Sequence, residues 1–266
     1  MVRALVFLLV SGINVFLFGA LYLAERITGR KRSGSGIIRY WAWIGLWCCG
    51  LKLEVEGKPM PHGGAIVANH STWIDIFTLH AVADLVFVSK AEVGSWPFIG
   101  FLARLTDTVF IERRQNAAKE QQEILKQRVA SGDRLCIFPE GTSTDGTLVL
   151  RFKSSLFGAL QVQIPGSDIR VQPASVVYLP RRDLPRRFYG WWGDMGFGEH
   201  LLSVFAKSRC GRVRVVLHPP VRADDFATRK LLAAHCEKVV REGFDAVLAQ
   251  EGLETDVSIS SAPELR

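Results

Sequence analysis

His70 and Asp75, in the run ANHSTWID over residues 68–75, are a pair whose side-chain types fit acid–base chemistry. Imidazole takes and gives a proton near neutral pH. A carboxylate beside it fixes its tautomer and stabilises its charged form. The spacing sets a condition, because on a continuous α-helix two residues five apart point well over 90° away from each other. His70 therefore reaches Asp75 only from outside the helix. A strand AIVANH ending at His70, with a helix opening directly after it, meets that condition. Ser71 or Thr72 then caps the helix and Asp75 falls in its first turn. The same residues also suit a structural role, since Thr72-Trp73-Ile74-Asp75 is the acidic variant of a capping box. The two roles are compatible, as a first-turn carboxylate has a second oxygen.

Two further strand ends carry polar groups. In LCIFPEGTST (135–144) an apolar strand meets Pro139, which cannot extend a ladder, and delivers Glu140, Gly141, Thr142 and Ser143. Ligands of open α/β sheets bind beyond such ends, and a glycine there lets backbone approach a ligand closely. In TVFIERR (108–114) the strand ends in Arg113 and Arg114, and a guanidinium in that place suits bidentate phosphate binding. A generic turn and a solvated basic turn are the plainer readings of these two ends. Other chemistries find less support. GTSTDG (141–146) puts its second glycine one position too late for a hydrolase elbow. Neither a phosphate-binding GxxxxGK[ST] loop nor a GxGxxG fingerprint occurs. The six histidines are scattered and form no HExxH, which disfavours a metal centre.

The elements that position these residues follow from periodicity. LKLEVEG, AIVANH, DLVFVSK, TVFIER, RLCIFPEG, RVQPASVVY and RVRVVLHPP read as strands. SWPFIGFLARL, QNAAKEQQEILKQRVASG, RFKSSLFGALQVQI and Arg229–Gln250 read as helices. The alternation predicts an α/β fold, with a central mostly parallel or mixed sheet flanked by helices. Three regions are expected: an N-terminal membrane anchor of one or two helices over 1–50, an α/β domain over 51–250, and a polar, disordered tail over 251–266.

Of the 266 residues, 48% are hydrophobic and the formal net charge is +7; the sequence pI is about 9.3 and mean hydropathy +0.15. The basic balance favours an anionic partner without choosing among nucleic acid, membrane and phosphorylated substrate. The five cysteines are odd in number and form no CxxC, which points to reduced thiols. The uncharged stretch Ala4–Leu23 has the length of a bilayer span, and Arg26, Arg30, Lys31 and Arg32 follow it. That bias places the downstream domain on the cytoplasmic side of the inner membrane. Ile37–Leu51, with three tryptophans and a tyrosine, suits the headgroup boundary. Spanning and monotopic anchoring both remain open.

Taken in order, these blocks resemble the PlsC-type family of glycerolipid acyltransferases. Asn69, His70 and Asp75 match its NHxxxxD block. Lys90, Glu92, Pro97, Gly100 and Phe110–Arg113 match its second block, Phe138–Thr142 its FPEGT block, and the strand around Pro173 its fourth. The resemblance implies a glycerolphosphate acyltransferase-like fold. It also implies transfer of a fatty acyl group from a thioester, of coenzyme A or of acyl carrier protein, to the sn-2 hydroxyl of 1-acylglycerol-3-phosphate, giving phosphatidate. His70 would be the general base and Asp75 its partner, with backbone N–H groups near Gly141 facing the thioester oxygen. Arg113 would hold the acceptor phosphate and Glu140 its glycerol part, with Thr142, Lys90 and Lys153 as further binding residues. The expected partners are a lysolipid and a membrane, not nucleic acid, and no metal or cofactor is required.

Two departures concern the acceptor. Ser143 stands where the family often has arginine, and TDT (106–108) replaces a glycine-containing turn. WWGDMGFGEHLL (191–202) resembles the branches that include lyso-ornithine lipid acyltransferases, the alternative activity. RRDLPRR (181–187) suits anionic headgroups, an acidic carrier protein or a solvated loop. More distant readings are a thioesterase or lipid hydrolase using the same His–Asp pair, and a non-catalytic membrane-surface protein.

Overall fold

The computed structural model describes residues 2–28, 35–61, 63–96, 99–111, 118–160 and 169–254. The strands are β1 Leu51–Glu56, β2 Gly64–Ala68, β3 Val86–Lys90, β4 Val109–Ile111, β5 Arg134–Ile137, β6 Arg170–Leu179, β7 Gly211–Leu217 and the two-residue β8 Val221–Arg222. All seven strands expected from the sequence form. The helices are α1 Val2–Thr28, α2 Ser35–Cys48, α3 Asp75–Val82, α4 Ile99–Leu105, α5 Ala118–Ala130, α6 Phe197–Lys207 and α7 Arg229–Gln250.

The sheet runs β1-β7-β6-β2-β5-β3-β4, with β8 beside β6. Strands β6, β2, β5, β3 and β4 are mutually parallel, whereas β7 runs antiparallel to β6. The sheet is thus mixed. Alternate residues serve two cores: Ile66 and Ala68 face the side covered by α1, α2, α3 and α6, while Ala65 and Val67 face α5 and α7. Strands buried on both faces are continuous apolar runs for this reason. The parallel arrangement brings the ends of β2, β3, β4, β5 and β6 to one edge, and among the described residues the ends of β2, β3 and β5 carry candidate site residues.

Three expectations change. RFKSSLFGALQVQI does not form a long helix: its described part makes only a 3-10 turn at Ser154–Phe157, and residues 161–168 lie outside the described set. The Phe152 N–H goes to the Glu237 carboxylate at 2.9 Å and the Lys153 N–H to the Pro139 carbonyl at 2.9 Å. Tertiary acceptors thus hold the backbone, and the apolar side chains are buried without a helix. A helix not expected, α6, forms from FGEHLLSVFAK and buries His200, Val204 and Phe205. Finally, Glu251 belongs to the domain and not the tail, since its carboxylate accepts from Arg212 at 2.6 Å and Arg214 at 3.2 Å.

The N-terminal helices pack on the domain. Phe7 contacts Phe77 and Phe205 with ring centroids 5.7 and 5.2 Å apart. Arg3, at the start of α1, donates to the Ser208 carbonyl beyond α6 at 2.5 Å. Among the described residues, no helix is long and apolar enough to cross a membrane.

Candidate active site

The chain leaves β2 at Asn69, whose side chain donates to the Val176 carbonyl and accepts its N–H, both at 2.8 Å. This pins the end of β2 to β6. His70 follows, and α3 begins at Asp75, so the imidazole lies ahead of the helix, where the spacing requires it. Nδ1 of His70 is 2.7 Å from Asp75 Oδ2. That oxygen also accepts the N–H groups of Ser71 at 2.8 Å and Thr72 at 3.0 Å. Oδ1 accepts the Tyr178 hydroxyl at 2.7 Å, and Tyr178 lies 2.9 Å from the Thr78 hydroxyl. Asp75 is fully buried, and four donors compensate the desolvation of its charge. One carboxylate therefore partners the imidazole and ties down two backbone N–H groups ahead of α3, whose N-cap position is Ile74 with no side-chain cap, so neither Ser71 nor Thr72 caps it. Only half of the capping box forms, because the Thr72 hydroxyl approaches the Ile74 N–H at 3.5 Å, not that of Asp75.

The His70 side chain is 20% exposed and stacks on Phe138, with centroids 4.2 Å apart and planes 16° from parallel. An imidazole donating from Nδ1 to a carboxylate keeps its lone pair on Nε2. Ring stacking and the Asp75 contact together fix where that lone pair points. The arrangement suits removal of a proton from a hydroxyl brought to Nε2.

Glu140 has different neighbours from those expected. It is 1% exposed, and its two oxygens accept the backbone N–H groups of His70 at 2.8 Å and Leu150 at 2.9 Å. It holds the backbone of the candidate base instead of facing the acceptor. Burial pushes its carboxyl up from 4.5 to about 8, with the Asp75 charge adding to the rise and the two N–H donors opposing it. The folded protein then binds this proton more tightly than the unfolded chain. Its stabilising contribution is full below about pH 4.5 and is lost as pH rises through about 8. Glu140→Gln sets an amide N–H against one of the two backbone donors. It is expected to cost about 1–3 kcal/mol and to flatten the pH dependence of stability across that window. Urea unfolding at a series of pH values measures both.

Gly141 takes φ +69°, a left-handed conformation that favours glycine. Its own N–H is spent on the Phe138 carbonyl at 3.0 Å, and that of Thr144 on the His70 carbonyl at 2.9 Å. Among the described residues, the N–H groups of Thr142 and Ser143 have no such partner and are the loop's candidates to face a developing oxyanion. Thr142 and Lys153 are exposed and Lys90 is half-buried at the end of β3, where it pairs in register with Ile111. Arg113 lies outside the described residues. In RRDLPRR, Arg181 pairs with Asp183 and Arg187 with Asp145 at 3.0 Å, so two of its four arginines have internal carboxylates.

Sequence reasoning missed Tyr178, and it singled out WWGDMGFGEHLL (191–202) for its resemblance without its contacts to the site. Gly190 packs so closely on Asp145 that a Cβ there would lie 2.3 Å from its carbonyl oxygen. The Trp191 N–H donates to the Ser71 carbonyl at 2.9 Å, and the Ser143 hydroxyl donates to the Trp191 carbonyl at 2.5 Å. Ser143, the serine of the GTSTDG run, is thus committed to structure. His200 accepts the Trp73 indole N–H at 2.9 Å, and burial pushes its pKa down.

Comparison with known proteins adds the family. Residues 52–177 match the model of the family described as Acyltransferase. A lyso-ornithine lipid O-acyltransferase of Rhodobacter capsulatus is 52% identical over 194 residues, covering 73% of this chain and 70% of that protein. The chain belongs to the PlsC-type acyltransferase family. A lyso-ornithine lipid O-acyltransferase of Rhizobium meliloti is 37% identical, covering 72% of this acyltransferase and 69% of its own length. A 1-acyl-sn-glycerol-3-phosphate acyltransferase of Neisseria gonorrhoeae is 33% identical over 111 residues, covering 41% of this chain and 43% of its own. The crystal structure of the 1-acyl-sn-glycerophosphate acyltransferase PlsC from Thermotoga maritima superposes with a TM-score of 0.55 at 24% identity, covering 92% of this chain and 97% of that one. That likeness shows the fold. The protein is an acyltransferase acting on lysolipids.

Proposed function

We propose that this acyltransferase moves a fatty acyl group from a thioester to the free hydroxyl of lyso-ornithine lipid at a membrane surface. The chemistry is carried by one observation, the 2.7 Å contact between His70 and a buried Asp75 at an open strand end. The hydroxyl proton passes to Nε2 as oxygen attacks the thioester carbon, and Asp75 stabilises the resulting imidazolium. The carbonyl oxygen gains charge, and the N–H groups of Thr142 and Ser143 are its candidate donors. Collapse of the tetrahedral intermediate expels the thiolate of coenzyme A or carrier protein, and the proton held by His70 returns to it. The acceptor hydroxyl takes the place of an enzyme serine, so no acyl-enzyme forms.

The acceptor reading reverses the order in which the sequence blocks place the two lipids. It is supported by the high identity to lyso-ornithine lipid enzymes over most of the domain and by Ser143 standing where the family often has arginine. Phosphatidate synthesis is the second reading, favoured by Arg113 in its motif position. Purified protein given a fatty acyl thioester with lyso-ornithine lipid and lysophosphatidate side by side decides between them. Preferred turnover of lysophosphatidate overturns the first.

Membrane attachment at the cytoplasmic face is part of the proposal, and α1 supports it by being turned inside out. Its polar Ser11 and Asn14 are buried, with Ser11 accepting the Trp41 indole N–H at 3.2 Å. Leu5, Leu8, Leu9, Ile13 and Phe16 are 50–78% exposed. With Tyr40, Trp43 and Trp47 exposed on α2, they form an apolar face of the kind that enters a lipid interface. Replacing Leu5, Leu8, Leu9 and Phe16 by serine together is expected to move the protein from the floating to the soluble fraction in vesicle flotation. Unchanged flotation argues against this face.

A further inference from the structure

Trp191 touches the loops after β2, β3 and β5, yet lies in none of the four blocks that match the family. Its N–H donates to the Ser71 carbonyl, one residue from His70, and its carbonyl accepts from Ser143. Its indole meets that of Trp96, on the loop after β3, with centroids 6.0 Å apart and planes at 86°. Phe197 stands 6.0 Å away on a further side, at 78°. The turn 191–195 is fastened by the Trp191 indole N–H on the Met195 carbonyl at 2.8 Å, and it presents the exposed Asp194. Trp96 is 39% exposed, so these rings are not simply core.

Edge-to-face packing covers one face of each ring pair, and a face left open beside it is electron-rich and attracts an ammonium group and not an anion. The Asp194 carboxylate in the same turn acts in the same direction. The loop offers no compensating cation at position 143, where the hydroxyl is spent on Trp191. We propose that Trp96, Trp191 and Phe197, with Asp194 in the same turn, form a subsite for the ammonium group of a zwitterionic acceptor headgroup. A primary ammonium rests against the aromatic faces while the acceptor hydroxyl lies at His70. This rests on the acceptor reading above: an ornithine joined through its α-nitrogen keeps its δ-ammonium. Headgroup selection then resides in a segment outside the catalytic motifs.

The test compares lyso-ornithine lipid with its δ-N-acetyl derivative in detergent micelles, using the full chain. Both acceptors carry the same acyl chain and hydroxyl, and only the first has the cation. The wild type is expected to favour the ammonium form in kcat/KM by about threefold to thirtyfold, the range of cation–π contacts. Trp96→Ala should bring that ratio toward one through KM, Trp96→Phe should keep most of it, and Asp194→Asn should lower it. A wild-type ratio of one, or a Trp96→Ala variant that loses both acceptors equally, overturns the subsite while leaving the acceptor reading intact. Failure to acylate either form, with lysophosphatidate turned over, removes the acceptor reading and the subsite with it.

Discussion

His70→Ala is expected to lower kcat for acyl transfer by about 10²–10⁴, with the protein still folded. The loss follows from chemistry, since an alcohol ionises too weakly at neutral pH to attack a thioester unaided. The fold survives because little of it depends on the imidazole. The backbone of residue 70 keeps its bonds to Glu140 and Thr144, and Asp75 keeps donors from Ser71, Thr72 and Tyr178. Phe138 alone loses a stacked neighbour. Turnover at saturating acceptor, paired with an unfolding curve, checks both halves. A folded variant with wild-type kcat removes His70 as the base.

Asp75→Asn is expected to lower kcat by about 10²–10³ with little change in KM. The amide oxygen can take the place of Oδ2 toward His70, Ser71 and Thr72. Its NH₂ then faces Tyr178, whose hydroxyl accepts that hydrogen and donates its own to Thr78. Packing and tautomer are kept, and only the charge opposite the imidazolium is lost. Two unit charges about 4 Å apart interact by about 4 kcal/mol at an effective dielectric of about 20, the value that suits even buried sites, close to 10³ in rate. A drop shared equally by KM, or a large loss of stability, argues that Asp75 serves the fold more than the chemistry.

The His70–Asp75 geometry was legible because it is local. Five residues and a strand-to-helix corner fix it, and the parallel sheet that gathers the strand ends follows from alternating β and α patterns. Tyr178 was not legible: it reaches Asp75 from 103 residues away, and its strand reads only as an apolar run. Glu140 carried the right residue type, but which groups its oxygens meet is decided by the fold around Leu150. Trp191 had no periodic signal at all, since its role is made by backbone contacts to two loops. Residues 151–160 misled because apolar spacing of helical type is also satisfied by a chain whose N–H groups bond to Glu237 and Pro139.

The central claim is direct transfer from thioester to lysolipid, with no covalent enzyme intermediate. A single-turnover reaction of the purified protein with a labelled fatty acyl thioester, run with and without lysolipid, tests it. The expected result is label only in the acylated lipid, with the thioester intact when the acceptor is omitted. Label bound covalently to the protein, or free fatty acid released at the same rate without acceptor, would contradict it.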